Sequence, residues 1–362
     1  MLVGRRGGSV LRMGAPPPAI AAEHVVKRFG STTAVDDASV EVADGEIVAV
    51  LGPSGSGKTT LLRLVAGFEQ PDRGDVWIGG RQVAGDGGWV EPDQRRVGMV
   101  FQDGALFPHL TVAENIDFGK PRAGVASRCL ELVGLADRAG AHPHELSGGE
   151  RQRIALARAL AIEPDVVLLD EPFASLDAAL RVSLRTDVAD ILRSAGTSAL
   201  LVTHDQDEAF AVADRIVVMH DGAVEQTGPP EAIYDTPATR WVAEFLGAAN
   251  IVPGEVADGF VDCELGTLPV RTPGDSDGRA GAVDVIVRPE AIVAVAAEAD
   301  TSDPGCPAQV VARSFQGGDV LLGVELASGV RLDARMNGRE RWAIGDDVFV
   351  QVAGDVAVVS AG

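Results

Sequence analysis

The chain has 362 residues, of which 46% are hydrophobic, and a formal net charge of -22 at pH 7. This length allows two domains with substantial buried cores. The acidic charge argues against a general polyanion-binding surface, and no apolar run approaches the roughly 18 residues that a membrane span needs. Cys129, Cys263 and Cys306 are far apart and lack metal-ligand spacing, which favours ordinary thiols in a reducing compartment.

The first 19 residues are rich in Gly and Pro and lack the continuous apolar segment of a signal peptide. We interpret residues 1–19 as a disordered extension, with Met13 as an alternative first residue. After them, Ala34 to Val42 alternates in polarity and predicts a strand, and Ile47 to Leu51 predicts a buried strand.

A glycine-rich segment, GPSGSGKTT, follows that buried strand and precedes the helical run Leu61 to Ala66. It fits the phosphate-loop pattern G-x-x-x-x-G-K-[ST]. Glycines let backbone amides converge on phosphate oxygens, Lys58 adds positive charge, and the Thr59 hydroxyl suits Mg²⁺. The sequence therefore predicts a nucleotide-triphosphate site made by Gly52, Pro53, Ser54, Gly55, Ser56, Gly57, Lys58, Thr59 and Thr60.

Strands and helices then alternate, which indicates a parallel α/β core. The predicted strands are Gly74–Ile78, Arg96–Phe101, Val166–Leu169, Ser198–Thr203 and Arg215–Met219, with Gly79–Asp93 as a surface loop. The predicted helical segments are Phe107–Asp137, Arg151–Leu160 with a capping box at Ser147 and Glu150, Ala178–Ser194 and Asp205–Ala213.

The pattern changes after Gly247 to short strand-like runs separated by Gly, Pro and Asp. This predicts a separate all-β domain, a small barrel or paired barrels, joined through a helix at Trp241–Leu246. The runs are Asn250–Val256, Phe260–Val270, Val283–Val287, Ala308–Phe315, Asp319–Leu326 and Val348–Val352.

Two acidic residues end the apolar strand at residues 166–169. Asp170 is placed like a Walker B carboxylate that would hold Mg²⁺, and the adjacent Glu171 suits the orientation and deprotonation of water. Alone, such a pair could equally cap the next turn, but the upstream phosphate loop favours the chemical roles. Ser147, Gly148 and Gly149 form a second ready-made anion site at a helix start, which one compact chain could not easily share with the same nucleotide.

The segment LSGGE, followed by RQRIALARAL, resembles the signature of ABC-type ATPases. The resemblance covers residues 20–246 and implies an α/β P-loop NTPase ABC cassette, with a parallel-sheet core, an antiparallel β subdomain and a helical subdomain. It assigns residues 247–362 to an all-β, OB-like regulatory domain. In that family two copies lie head to tail, so that each ATP would sit between the phosphate loop of one chain and Ser147, Gly148 and Gly149 of the other.

The resemblance also implies roles for single residues. Gln102 looks like the Q-loop glutamine that senses metal, water and the membrane partner, Asp177 like the dimer-contact aspartate, and His204 like the switch histidine on the terminal phosphate. Phe29 stands where the family commonly has a tyrosine that stacks on adenine, and Glu150 replaces a common Gln. The plainer alternatives are a core Phe29, a surface Gln102 and a structural His204.

The C-terminal segments VRPE and SFQGGDVLLGVEL look like the regulatory barrel of importer ATPases for sugars, polyamines, ferric iron and sulfate. The combined motifs are most similar to ferric-iron importer ATPases. We therefore expect an ATPase peripheral to the cytoplasmic face of the membrane, active as a homodimer with Mg²⁺. Its partners would be permease subunits and, indirectly, an extracytoplasmic solute-binding protein, with no nucleic acid. The alternatives are a polyamine, sulfate or sugar importer ATPase, a soluble ABC ATPase of repair or translation, and a binding module whose β-domain senses a ligand.

Overall fold

The computed structural model describes residues 17–119, 122–174, 176–271, 281–296 and 305–361. The chain divides into two compact units, residues 1–224 and 225–362. Most of the predicted extension, residues 1–16, lies outside the described residues, and the predicted domain boundary at residue 247 stays a prediction. Among the described residues, none of the helices combines the length and apolar character that a bilayer span requires.

The first unit contains two sheets and six helices longer than one turn within its described residues. Its strands are β1 (Ile20–Phe29), β2 (Thr32–Val42), β3 (Ile47–Leu51), β4 (Arg73–Ile78), β5 (Arg81–Ala84), β6 (Val97–Val100), β7 (Val166–Asp170), β8 (Ser198–Thr203) and β9 (Arg215–His220), and β10 (Ala223–Gly228) spans the boundary between the units. Its helices are α1 (Lys58–Ala66), α2 (Val112–Asp117), α3 (Val125–Leu132), α4 (Gly148–Ala161), α5 (Ala178–Ala195) and α6 (Gln206–Val212).

The central sheet of this unit is parallel, with the strand order β9-β3-β8-β7-β6. Every residue of β3 is buried, as expected for a strand covered on both faces. The register pairs Leu51 with Thr203 and Asp170 with Val202, and Val100 pairs with Leu169. The carboxyl ends of β3, β6, β7 and β8 therefore meet at one edge.

A second sheet, with the order β2-β1-β4-β5, is antiparallel throughout. The prediction of a surface loop over Gly79–Asp93 is wrong in part, because β5 pairs with β4 within it. Val83 and Ala84 are buried there, so β5 closes the edge of the apolar core that the two sheets share. The parallel core and the antiparallel subdomain were both predicted, and both are confirmed.

The second unit is built mainly from strands, which confirms the predicted all-β class. It contains α7 (Pro230–Asp235), α8 (Arg240–Phe245), β11 (Asn250–Ala257), β12 (Phe260–Cys263), β13 (Gly266–Pro269), β14 (Gly281–Val287), β15 (Ile292–Ala296), β16 (Cys306–Phe315), β17 (Asp319–Leu326), β18 (Arg331–Asn337), β19 (Asp347–Val352) and β20 (Ala357–Ser360). Two sheets, β13-β12-β11-β14-β20 and β15-β19-β16-β17-β18, enclose one apolar core. The single strand predicted over Phe260–Val270 is wrong, since a tight turn folds it into the hairpin β12–β13.

A buried arginine supports the helix that follows the phosphate loop. Arg95 is only 2% exposed, and burial lowers its pKa to about 10. Its guanidinium donates to the carbonyls of Leu64 and Val65 at 2.8 and 2.9 Å. It also donates to Val90 at 2.8 Å and Val83 at 3.2 Å. Positive charge at the C-terminal carbonyls of α1 is favourable because these carry the negative end of the helix dipole.

Replacement of this arginine tests its structural role. Arg95→Met should lower the free energy of unfolding by about 3 kcal/mol, because it leaves buried carbonyls without donors. Urea denaturation followed by far-ultraviolet circular dichroism measures the change, since most of the helix lies in the first unit. Arg96→Met is the matched control: its side chain is 67% exposed and pairs with Asp165, so it should cost less than about 1 kcal/mol. Equal losses of unfolding free energy in both variants would contradict the role of Arg95 in supporting α1.

Candidate functional site

The phosphate loop runs from the end of β3 into α1 and needs glycine at two positions for steric reasons. A Cβ atom at Gly52 would collide with the carbonyl oxygen of Met219. Gly57 has a φ of 98°, and a Cβ there would collide with the carbonyl oxygen of Ala34. The loop therefore follows a path that other residues cannot take. Gly52 and Ser56 are buried, Pro53, Gly57, Thr59 and Thr60 are half-buried, and Ser54 and Gly55 are exposed.

Lys58 lies folded against its own loop. It is 5% exposed, and its Nζ donates to the carbonyl oxygens of Gly52 and Pro53, at 2.8 Å each. Burial lowers the pKa of the Lys58 ammonium, whereas the carboxylates of Glu171 and Asp170 raise it. The one positive side chain of the loop thus faces both strand-end carboxylates from a partly desolvated position.

Thr59 and Asp170 are brought together as the sequence predicted. The Thr59 hydroxyl donates to Asp170 Oδ1 at 3.4 Å. Burial raises the pKa of the Asp170 carboxyl, and the hydrogen bond from Thr59 opposes that shift. A hydroxyl and a carboxylate beside a phosphate loop are the oxygen ligands that Mg²⁺ accepts together with substrate phosphates. The donor set therefore fits this ion.

Glu171 and His204 form a contact across the ends of β7 and β8. His204 Nδ1 lies 3.3 Å from Glu171 Oε2, and the two side chains are 52% and 25% exposed. The Glu171 amide donates to the carbonyl of Val202 at 2.9 Å, and Glu171 has a φ of 45°, in the left-handed region. A non-glycine residue adopts that conformation at some energetic cost. The turn that carries Glu171 is therefore held by the sheet.

Gln102 follows a strand of the parallel sheet, whereas Phe29 ends a strand of the antiparallel sheet. Gln102 comes two residues after β6, whose last residue pairs with Leu169 of β7. Its side chain is exposed. Phe29 ends β1 with 46% of its surface exposed, and the Lys27 Nζ lies 5.1 Å from the ring centroid. The ring is therefore not a core residue, and one of its faces is available for stacking.

The LSGGE segment begins α4 with the predicted capping box. The Ser147 Oγ accepts from the Glu150 amide at 3.2 Å, and Glu150 Oε2 accepts from the Ser147 amide at 2.8 Å. These hydrogen bonds lower the pKa of the Glu150 carboxyl. Gly148 and Gly149 pack against Leu176 and Leu180, which flank Asp177, the N-cap of α5. The two segments predicted to meet a second chain therefore contact each other within this one.

Sequence reasoning missed an ionic cluster behind His204. Arg181 and Arg185 of α5 both contact Asp205, which directly follows His204. Arginines four residues apart lie on the same helix face. That spacing was the only signal in the sequence, and it does not say which carboxylate the arginines reach.

Comparisons with known proteins agree with this geometry. A family model described as ABC transporter matches residues 35–174, and one described as TOBE domain matches residues 285–359. The chain is 44% identical over 346 residues to the Fe(3+) ions import ATP-binding protein FbpC 3 of Rhodococcus jostii, covering 93% of this chain and 97% of that protein. It is 42% identical over 333 residues to the spermidine/putrescine import ATP-binding protein PotA of Pseudomonas aeruginosa, covering 88% and 90%.

Solved structures support the same grouping. An ATP-binding cassette bound to ADP and phosphate, solved as a dimer, is 30% identical with a TM-score of 0.50, covering 58% of this chain and 98% of that one. The cbiO1 protein of Clostridium perfringens, part of an ABC transporter complex, is 25% identical with a TM-score of 0.56, covering 60% and 91%. With importer ATP-binding proteins matching it over nearly its whole length, the chain belongs to the family of nucleotide-binding, ATP-hydrolysing subunits of ABC importers.

Proposed function

We propose that this chain hydrolyses ATP at the carboxyl edge of its parallel sheet to drive the import of ferric iron through a membrane permease. The observation that carries the ATPase assignment is the strand register. It sets the phosphate loop, Asp170, Glu171 and His204 at one edge and places Glu171 3.3 Å from His204. Parallel sheets bind ligands at this edge, where helix N-termini and loop amides converge.

Lys58 and the amides of residues 52–60 bind the phosphates of ATP in this proposal. The Lys58 ammonium already lies on the carbonyls of Gly52 and Pro53, so it exchanges neutral acceptors for charged phosphate oxygens, which form stronger hydrogen bonds. Phe29 offers an exposed aromatic face to the adenine. The loop and the aromatic ring would thus bind opposite ends of the nucleotide.

Thr59 and Asp170 would hold Mg²⁺, and Gln102 would supply a further oxygen ligand. The ion, when bound, neutralises charge that develops on the phosphate oxygens. Glu171 accepts a proton from the attacking water, and the contact with His204 fixes the orientation of its carboxylate. His204 in turn donates to the terminal phosphate. Positioning and charge stabilisation supply most of the rate in such a site.

Two copies complete the site in this proposal. Ser147, Gly148 and Gly149 of a second chain bind the terminal phosphate with the amides at the start of α4, and Asp177 lies at the dimer contact. Gly148 and Gly149 pack on the leucines that flank Asp177. This packing supports the arrangement, because the segment that begins α4 and the segment that contains Asp177 are then neighbours in the chain's fold. Segment 102–115 contacts the permease at the cytoplasmic face of the membrane, and a solute-binding protein supplies the cargo from outside.

The choice of ferric iron rests on relatives named as Fe(3+) import ATP-binding proteins, which are 44% identical to the chain. A polyamine is the second candidate, because the PotA relative is 42% identical over a similar length. In this proposal the cargo does not touch the ATPase site, so the choice between the two rests on the relatives alone.

Loss of the proposed base should stop hydrolysis but not binding. Glu171→Gln keeps the shape of the side chain and removes its basicity, so turnover should fall by at least about 100-fold. An ATP-bound dimer should accumulate, which size-exclusion chromatography with ATP and Mg²⁺ detects. Glu231→Gln, at an exposed position of α7, is the control and should keep full turnover. Wild-type turnover in Glu171→Gln would remove Glu171 from the role of base.

Loss of the loop lysine should prevent binding. Lys58→Ala removes the charge that faces the phosphates, and ATP affinity should fall by about 100-fold or more, as for charge-assisted hydrogen bonds lost from a partly buried site. Titration with a fluorescent ATP analogue measures this. Arg81→Ala removes an exposed positive charge from β5 and should bind normally. Tight binding by Lys58→Ala would count against the loop as the phosphate site.

The cargo is tested by uptake in cells. A strain that lacks this chain should lose uptake of radiolabelled ferric iron and keep uptake of radiolabelled spermidine. Complementation with the wild-type chain should restore iron uptake, and complementation with Glu171→Gln should not. The opposite pattern, with loss of spermidine uptake alone, would contradict iron as the cargo and favour the polyamine alternative.

A further inference from the structure

His204 lies between two residues that are themselves fixed by hydrogen bonds. Thr203, the last residue of β8, donates from its hydroxyl to Glu208 Oε2 at 2.5 Å. The same hydroxyl accepts from the Asp205 amide at 3.0 Å. Asp205 caps α6, since its Oδ1 accepts from the Glu208 amide at 3.1 Å. The backbone on both sides of His204 is therefore tied to the first turn of α6.

The second carboxylate oxygen of Asp205 faces α5. Asp205 Oδ2 lies 3.1 Å from Arg185 NH2 and 3.4 Å from Arg181 NH1. The Arg185 side chain is only 9% exposed and that of Asp205 is 22% exposed, so solvent screens these ion pairs less than it screens surface pairs. Two guanidinium groups on one carboxylate oxygen hold the residue that follows His204 against the face of α5.

This cluster also reaches the start of α5. Arg181 donates to the Leu176 carbonyl at 3.0 Å, and the next residue, Asp177, caps the helix by accepting from the Leu180 amide at 2.9 Å. One arginine thus bridges the segment that contains Asp177 and the turn that contains His204. Movement of either segment relative to α5 would break charge-assisted hydrogen bonds.

We propose that Asp205, held by Arg181 and Arg185, is a positioning residue that fixes His204 relative to Glu171 and the terminal phosphate. This inference rests on the proposed function, in which His204 contacts that phosphate. Asp205 does not touch the nucleotide and acts only through its neighbour. Its loss should therefore lower kcat, which depends on the orientation of His204, and leave ATP binding at the loop intact.

Asp205→Asn separates this role from helix capping. Asparagine is as good an N-cap as aspartate and has nearly the same volume, so α6 should persist while the charge that attracts both arginines is lost. Asp207→Asn is the matched control. It makes the same charge change two residues along α6, at a side chain that is 82% exposed and 3.8 Å from Arg185.

The test is steady-state ATP hydrolysis by the full chain with Mg²⁺, together with its thermal unfolding midpoint. Asp205→Asn should lower kcat by about tenfold, the loss typical of an outer partner that orients a reacting group, with a KM within about twofold of wild type. Its midpoint should fall below that of Asp207→Asn, because two partly buried guanidinium groups lose their shared carboxylate, so hydrolysis is measured at a temperature where both variants are folded. Asp207→Asn should keep wild-type kcat. Arg181→Gln should also lose turnover, and Arg181→Lys, which keeps the charge, should recover part of it.

Two results would overturn this inference and leave the proposed function intact. One is a wild-type kcat in Asp205→Asn together with a loss of ATP hydrolysis in His204→Ala. The other is a kcat loss in Asp205→Asn that comes with an equal loss in Asp207→Asn or with a KM raised by more than about twofold, since either marks a general structural effect and not the orientation of His204. Full turnover in His204→Ala would overturn the proposed role of His204, and this inference with it.

Discussion

The register of the parallel sheet determines where the phosphate loop, Asp170, Glu171 and His204 lie. Leu51 pairs with Thr203 and Asp170 pairs with Val202, so the residues that follow each strand leave the sheet at the same level. A shift of one residue in any of these strands would turn its end residue to the opposite face. The shared core of buried Val, Ile and Leu residues makes such a shift costly. The chemistry at the edge therefore depends on apolar packing beneath it.

Charge balance at this edge is a second constraint. Lys58, Asp170 and Glu171 share a partly desolvated space, in which neighbouring charges alter the pKa values of Lys58 and Asp170. Burial works against the charge of Lys58, whereas the two carboxylates favour it. Burial likewise raises the pKa of Asp170, and the Thr59 hydroxyl and Lys58 oppose the shift. The site thus holds charges that partly compensate one another before any substrate binds. Such fixed charges in a partly desolvated place form a preorganised electrostatic site, whereas the charges of a solvated loop are oriented only by water.

The sequence predicted the elements whose patterns are local. Ile47–Leu51 and Ser198–Thr203 are strands with the predicted bounds, since short runs with an apolar centre form buried strands. The phosphate loop and the capping box at Ser147 depend on residues within a few positions of each other, so local sequence patterns predict them equally well. By contrast, β5 has only four residues, and its partner β4 decides that it is a strand. Pairing between segments overrides so weak a local signal.

The contacts that sequence reasoning missed join distant segments. Arg95 resembles any surface arginine in the sequence, and only the fold shows that it is buried on the carbonyls of α1. Arg181 and Arg185 likewise have a helical spacing that predicts a shared face but not the carboxylate of Asp205 opposite.

In the proposed site, one edge of the sheet forms half of an ATP site, and a second chain supplies the other half. A crystal structure of Glu171→Gln with ATP and Mg²⁺ tests it most directly. We expect a terminal phosphate within hydrogen-bonding distance of Lys58 and His204 of one chain and of Ser147 of the second. A nucleotide whose phosphates contact only one chain, or lie away from the loop at residues 52–60, would contradict it.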